Sequence, residues 1–267
     1  MTTISVITIN RNGAVELPRT IASVRLQTQS LQWVVIDGAS SDGSQDLVRA
    51  ALASGDVLLS EPDRGISDAF NKGIARATGD AIIFLNAGDE FASPNSLAQL
   101  VAAWDRSDHR SHHRWILGTA EVVAVDGSLL FIRGFAQTPR NPLSLVQTNC
   151  QIMHQAVLAE RSLFSELGGY DERWKIAMDY DLWVRWLVRG IAPQCVAVPV
   201  CRFHRGGISG NPMRNHNEEQ RVRAEHGISN GVLGEALLKA LAWTKWRIRG
   251  RYGRWLYRLK ERMGIRL

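Results

Sequence analysis

The chain has 267 residues, 45 % of them apolar and 22 % charged, an ordinary globular balance with enough length for one large domain or two small ones. No run approaches the roughly 20 apolar residues of a membrane span, and no basic segment precedes the first apolar run as a signal peptide would require. The three cysteines, Cys150, Cys195 and Cys201, lack metal-ligand spacing and match core residues of a reduced, cytosolic protein. The net charge of +6 is local: residues 241–267 carry nine Lys/Arg and one Glu, so the first 240 residues are slightly acidic.

Short apolar or β-branched runs at 4–9, 33–37, 56–60 and 81–85 read as strands, and amphipathic patterns at 16–26, 45–53 and 66–77 read as helices between them. This alternation predicts βαβ units and a mostly parallel sheet covered on both faces. Ser44 is the expected cap of the second helix, after the turn residues Asp42-Gly43. Farther on, residues 115–125, the turn Asp126-Gly127 and residues 128–132 predict an antiparallel hairpin. A polar loop from Gln137 to Pro142, helices near 160–167 and 180–189 and a strand at 195–200 follow. Residues 205–217 are glycine-rich and polar and read as a mobile loop. From Gly231 the pattern is one or two helices. Tyr252, Trp255, Leu256, Leu259 and Met263 share one face, and Arg251, Arg254, Arg258 and Arg262 share another. A basic helix with aromatics on its apolar side suits an anionic membrane surface better than a nucleic acid. The plainer alternative is a helical pair packed on the domain or on a second subunit.

Five polar constellations are candidates for chemistry. Asp37 ends the second strand among small residues and can accept hydrogen bonds from a base or ribose; an Asx turn with a helix cap is an equal reading of Asp42-Gly43-Ser44. Asp68, Asn71 and Lys72 share one helix face just after Asp63-Arg64, at a helix start that attracts anions such as a diphosphate. A solvated helix start with a local Asp–Lys pair is the alternative there. Asn86-Ala87-Gly88-Asp89 follows the strand at 81–85, and the C-terminal ends of strands are where open α/β sheets bind ligands. Asp89 is a hard oxygen ligand for Mg²⁺ or Mn²⁺, with nucleotide phosphates completing the shell. Asp179 and Asp181 bracket Tyr180 at a helix start, one poised as a base and the other as a cap. His154 and Gln155 are candidate acceptor contacts, with a buried structural histidine as the alternative. His204 follows a strand beside glycines and reads either as a metal or phosphate ligand or as a surface histidine.

Taken in order, these motifs resemble the family 2 glycosyltransferases of the GT-A fold, of the bacterial polysaccharide-assembly type. The resemblance is carried by Ser5-Val-Ile-Thr-Ile-Asn-Arg-Asn12, Leu17-Pro-Arg-Thr-Ile-Ala-Ser-Val24 and Ile36-Asp-Gly-Ala-Ser-Ser-Asp-Gly-Ser44. It continues through Glu61-Pro-Asp-Arg-Gly-Ile-Ser-Asp-Ala-Phe-Asn-Lys-Gly73, Ala77-Thr-Gly-Asp80, Phe84-Leu-Asn-Ala-Gly-Asp89 and Asp179-Tyr-Asp-Leu-Trp183. It spans about residues 4–209.

The resemblance implies a Rossmann-like α/β sheet flanked by helices over residues 1–210. The donor half would reach to about 115 and the acceptor half run from about 116, with a mobile loop or helix over 211–230 and a basic amphipathic helical tail over 231–267. It also implies inverting, Mn²⁺- or Mg²⁺-dependent transfer of a sugar from a nucleotide-sugar donor to a hydroxyl of a glycan or lipid-linked acceptor. Asp37 would contact the base or ribose. Thr8, Asn10, Asp63, Arg64, Asp68, Asn71, Lys72, Asn86, Ala87 and Gly88 would line the donor pocket. Asp89 would bind the metal, joined by His204, and Asp179 would be the general base. The family usually shows Asp-x-Asp-Asp at 86–89 and Glu-Asp before the tyrosine; here these are Asn-Ala-Gly-Asp and Met178-Asp179. Each site therefore keeps one carboxylate, which suffices for one base and one lean metal. A catalytically inactive nucleotide-binding scaffold is the alternative. The expected location is the cytoplasm, peripheral at the inner face of the cytoplasmic membrane, without nucleic acid; a homo-oligomer stays open.

Overall fold

A computed structural model describes residues 2–106, 113–124, 127–148, 150–204 and 212–247. Strands β1 (Ile4–Asn10), β2 (Gln32–Asp37), β3 (Val57–Ser60) and β4 (Ala81–Phe84) pair in parallel, as the alternation predicts. Helices α1 (Leu17–Arg25), α2 (Ser44–Ala51) and α3 (Ile66–Arg76) connect them. β1, β2 and β4 are buried along almost their whole length, which is why they read as unbroken apolar runs. In this half two elements lie outside the expected pattern, the two-residue strand β5 (Glu90–Phe91) and helix α4 (Ser96–Asp105).

The second half extends the same sheet. The expected hairpin forms as β6 (Trp115–Val123) and β7 (Leu129–Arg133), although Val125 and Asp126 lie outside the described residues. Between them and the later strands come a short helix α5 (Ser144–Gln147), a 3-10 turn at His154–Ala156 and β8 (Val157–Glu160). Helices α6 (Arg161–Glu166) and α7 (Met178–Val188) precede β9 (Gln194–His204), which runs four residues past its expected end. The sheet order is β3-β2-β1-β4-β8-β6-β9-β5, with β7 beside β6. β8 is antiparallel to both neighbours and β9 is parallel to β6. Pro199 in β9 has no N–H to give, and the β6–β9 register shifts on both sides of its partner Thr119. Trp115 stacks on Trp183 of α7 with ring centroids 5.3 Å apart, and Trp186 meets both edge-on.

Two expectations change. Ser44 is the first residue of α2, not its cap: left-handed Gly43 (φ +91°) holds that place, and Asp42 accepts the Ser44 N–H at 3.1 Å. Residues 212–217, expected in a mobile loop, begin helix α8 (Pro212–Glu225), while 205–211 lie outside the described residues. Helix α9 (Gly231–Arg247) forms as expected, but the basic amphipathic segment 248–267 also lies outside them.

Candidate active site

The ends of β1 and β2 meet over a buried carboxylate. Asp37 accepts hydrogen bonds from Asn10 Nδ2 (2.8 Å), the Ser40 N–H (2.9 Å) and Ser60 Oγ (2.7 Å). Burial pushes this carboxyl up, but the hydrogen bonds from Ser40, Ser60 and Asn10 outweigh it and hold it below the ordinary range. The two following loops interlock: the Asn12 N–H donates to Ser40 Oγ (2.7 Å) and the Ser41 N–H to Asn12 Oδ1 (3.0 Å). Asn12 and Ala39 sit in the left-handed region (φ +51° and +54°), strain of the kind that gathers at binding loops. Thr8 takes no part. Its hydroxyl donates to the Leu85 carbonyl and accepts the Trp33 indole N–H, so it is a core residue rather than a donor contact.

The segment 61–72 forms one ion network. Lys72 Nζ reaches Asp63 (2.8 Å), Glu61 (3.0 Å), Asp68 (3.3 Å) and the Pro62 carbonyl (2.9 Å). Burial lowers its affinity for the proton, but these carboxylates prevail and hold the ammonium well above its ordinary range. Asp68 accepts from the backbone and guanidinium of Arg64, which hold it down at about 2. Arg64, largely exposed, also pairs with Glu172 at 2.9 Å. The plainer reading of Lys72, a local ion pair, is therefore the arrangement seen. Asn71 is likewise structural: its amide donates to the Tyr170 carbonyl and accepts the Tyr170 N–H, both at 2.8 Å, pinning the chain 99 residues later.

The turn after β4 gives Gly88 a backbone reason. The Asp89 N–H donates to the Asn86 carbonyl at 3.0 Å, and Gly88 has φ +98°, the geometry of a type II turn in which a residue with a β-carbon is strained. Thr20, unnoticed in the sequence, locks this turn: its hydroxyl donates to the Asp89 carbonyl (2.7 Å) and accepts the Gly88 N–H (2.9 Å). Asp89 is thereby held inward, and burial pushes its carboxyl up to about 6 despite the amide of Gln155.

The 3-10 turn at His154–Ala156 joins the two halves. Gln155 is buried and its Nε2 donates to Asp89 Oδ2 at 2.8 Å, which places it behind that carboxylate rather than on an open acceptor surface. His154 Nε2 lies 3.0 Å from Asn86 Nδ2, and its Nδ1 lies 3.8 Å from Asp179 Oδ2. Asp179 has a 30 % exposed side chain, and its other oxygen accepts the Tyr180 N–H. Asp181 is buried and paired with Arg185 at 2.8 Å, so of the two carboxylates Asp179 is the accessible one. His204 comes beside Asp89 at the end of β9, with Nε2 3.1 Å from Glu90 Oε1.

Among the described residues no cluster of three or more His, Cys, Asp or Glu side chains has the arrangement of a metal cage. Yet Asn86 Oδ1, Gln155 Oε1 and His204 Nδ1 are buried atoms without a hydrogen-bond partner there, on three residues tied to Asp89 or its turn. Unpartnered acceptors around a buried carboxylate suit a cation. The residues thus fit a lean divalent site made by Asp89 with His204.

Helix α8 supplies two carboxylates that no motif announced. Glu218 Oε2 accepts the N–H groups of Lys175 (3.1 Å), Ile176 (2.8 Å) and Ala177 (3.0 Å), capping from outside the helix that carries Asp179. Replacing Glu218 with Ala is expected to lower unfolding free energy by about 2 kcal/mol, the scale of a charged hydrogen bond lost at a helix start; urea unfolding measures it. Glu219 is buried, accepts from Asn215 (2.9 Å) and feels the charge of Asp179; burial is the first cause that pushes it up to about 7 from the ordinary 4.5. Because its folded value is the higher one, its stability contribution is complete below pH ~4.5 and fades as pH rises through ~7, a loss approaching about 3 kcal/mol. Glu219→Gln is expected to flatten that fall, which thermal unfolding across this pH range reads directly.

The Glycosyl transferase family 2 model matches residues 5–113. An uncharacterized glycosyltransferase of Mycobacterium tuberculosis is 32 % identical over 213 residues, covering 78 % of each chain. A PGL/p-HBAD biosynthesis glycosyltransferase of Mycobacterium bovis is 27 % identical over 185 residues, covering 68 % of each. Among solved structures, Staphylococcus aureus TarS 1–349 in complex with UDP-GlcNAc superposes with a TM-score of 0.63 at 15 % identity, over 93 % of this chain and 73 % of that one. The mannosyltransferase PcManGT of Pyrobaculum calidifontis, in complex with GDP-Man and Mn²⁺, gives 0.59 at 17 %, over 93 % and 75 %. The mixed sheet, parallel from β3 to β4 and flanked by helices, is thus the GT-A fold. With these strand-end carboxylates on that fold and a 32 % identical relative over most of its length, the chain belongs to glycosyl transferase family 2.

Proposed function

We propose that this glycosyltransferase transfers a sugar with inversion from a nucleotide-diphosphate donor to a hydroxyl, using Asp179 as general base and Asp89 as the main protein ligand of Mn²⁺ or Mg²⁺. The observation that carries this is the turn at His154–Gln155, which ties Asp89 and Asp179, ninety residues apart in sequence, into one site. The donor would lie along the ends of β1, β2 and β4, over the loops ordered by Asp37 and Asn10, with Asp63 and Arg64 at the rim. The UDP-GlcNAc and GDP-Man complexes of the fold neighbours support a nucleotide-sugar donor for this fold.

When bound, a divalent cation neutralises charge on the leaving diphosphate. Asp179 takes the acceptor proton at Oδ2, its other oxygen being held by the Tyr180 N–H. His154 Nδ1 lies 3.8 Å from that same Oδ2, beside the atom that takes the proton. The basic sequence at 241–267 supports an acceptor carried on lipid, met at the inner face of the cytoplasmic membrane.

A thermal-shift panel of UDP, GDP and dTDP sugars, with and without Mn²⁺, followed by assay of nucleotide release, tests the reading. One nucleotide class is expected to raise Tm, more so with metal, and to be turned over. Binding without turnover of any sugar across acceptors would support the inactive scaffold instead.

A further inference from the structure

Helix α9 turns the wrong side outward for a soluble protein. Its outward face carries Val232 (88 % exposed), Leu233 (87 %), Leu237 (62 %) and Trp243 (46 %), with exposed Ala236 and Ala240 completing the stripe at helical spacing. The only charged side chain bordering this stripe between 231 and 244 is Lys239, while Glu235 points inward to pair with buried Arg223 at 3.0 Å. Solvent-facing helix surfaces normally carry the charges, so a contiguous apolar stripe marks a contact surface.

We propose that this face of α9 docks on an anionic lipid bilayer. Two observations choose lipid over other partners. No helix among the described residues is long and apolar enough to cross a membrane, so contact would be with its surface. The chain then continues directly into residues 245–267, where the sequence sets eight more Lys/Arg after Lys245 against one Glu. An apolar stripe joined to a concentrated cation supplies both attractions of an interfacial helix, burial of apolar area and pairing with anionic headgroups. Such docking would hold the site at the height of a lipid-linked acceptor. It rests on the reading above only for that last point.

Flotation of the full-length protein with phosphatidylcholine vesicles, with and without phosphatidylglycerol, tests this without needing turnover. Wild type is expected to float with the anionic vesicles and to be released by high salt. The double variant Leu233→Asp/Leu237→Asp is expected to bind about tenfold or more weakly, with an unchanged melting temperature and unchanged donor turnover. Quenching by bromine-labelled lipid, larger in wild type than in Trp243→Phe, would place the helix in the interface even if the double variant proved unstable. No vesicle binding by wild type, equal binding by the double variant, or a lipid-free dimer that this variant splits would overturn the proposal, the last assigning the face to a second copy. Each of these leaves the donor chemistry standing, and an inactive enzyme that floats leaves the docking standing.

Discussion

Asp179→Asn is expected to lower turnover on the order of 10³-fold while leaving donor affinity nearly unchanged, the signature of a lost general base. Asp179 sits at the first turn of α7, and the carboxamide keeps its size and can still accept the Tyr180 N–H. What disappears is the ability to hold the acceptor proton. The contrast with Asp181 sharpens the test: that residue is paired with Arg185 and His226, so Asp181→Asn is expected to act on stability first. A steady-state comparison of the two variants, with unfolding curves alongside, separates the roles.

Asp89→Asn is the second large effect. The carboxylate is buried and tied to residues that carry unpartnered acceptor atoms, and the substitution removes the charge that would offset a cation. We expect metal enhancement of donor binding to vanish and kcat/KM to fall by about 10³-fold, a scale reached when charge stabilisation of a transition state is lost. Apo stability moves the other way. Burial raises this carboxyl to about 6 from 3.8, so its ionisation costs stability: the contribution is complete below pH ~3.8 and is lost as pH rises through ~6. The amide should therefore make the metal-free protein more stable near pH 8 while abolishing function. Asn86→Ala, which removes the neutral contact to His154 and one unpartnered acceptor but no charge, should be far milder.

Sequence and structure agree where chemistry and position are local. The strands and helices of the first half fall within one or two residues of their expected ends because each is an apolar run or amphipathic stretch closed by turn residues. Asp89 stands out in the sequence because it follows a strand end, and Asp179 because it opens a helix. Thr8 and Asn71 were misread because their polar groups are satisfied by partners 77 and 99 residues away, the Leu85 and Tyr170 backbone. Gln155 looked like an acceptor contact for the same reason: its partner, Asp89, lies 66 residues upstream. Glu218 and Glu219 offered no sequence signal beyond an acidic pair in a polar helix, since their meaning comes only from α8 lying against α7. Gly88, which looked like a missing acid, is the residue that the turn before Asp89 calls for.

One site holds two carboxylates with separate proposed work, Asp89 for the metal and donor, Asp179 for the acceptor proton. Calorimetric titration of the stabilising nucleotide diphosphate, with and without Mn²⁺, into wild type, Asp89→Asn and Asp179→Asn separates them. Metal is expected to tighten binding to wild type and to Asp179→Asn alike, and to have no effect on Asp89→Asn. Undiminished metal enhancement in Asp89→Asn, or its loss in Asp179→Asn, would contradict that division of work.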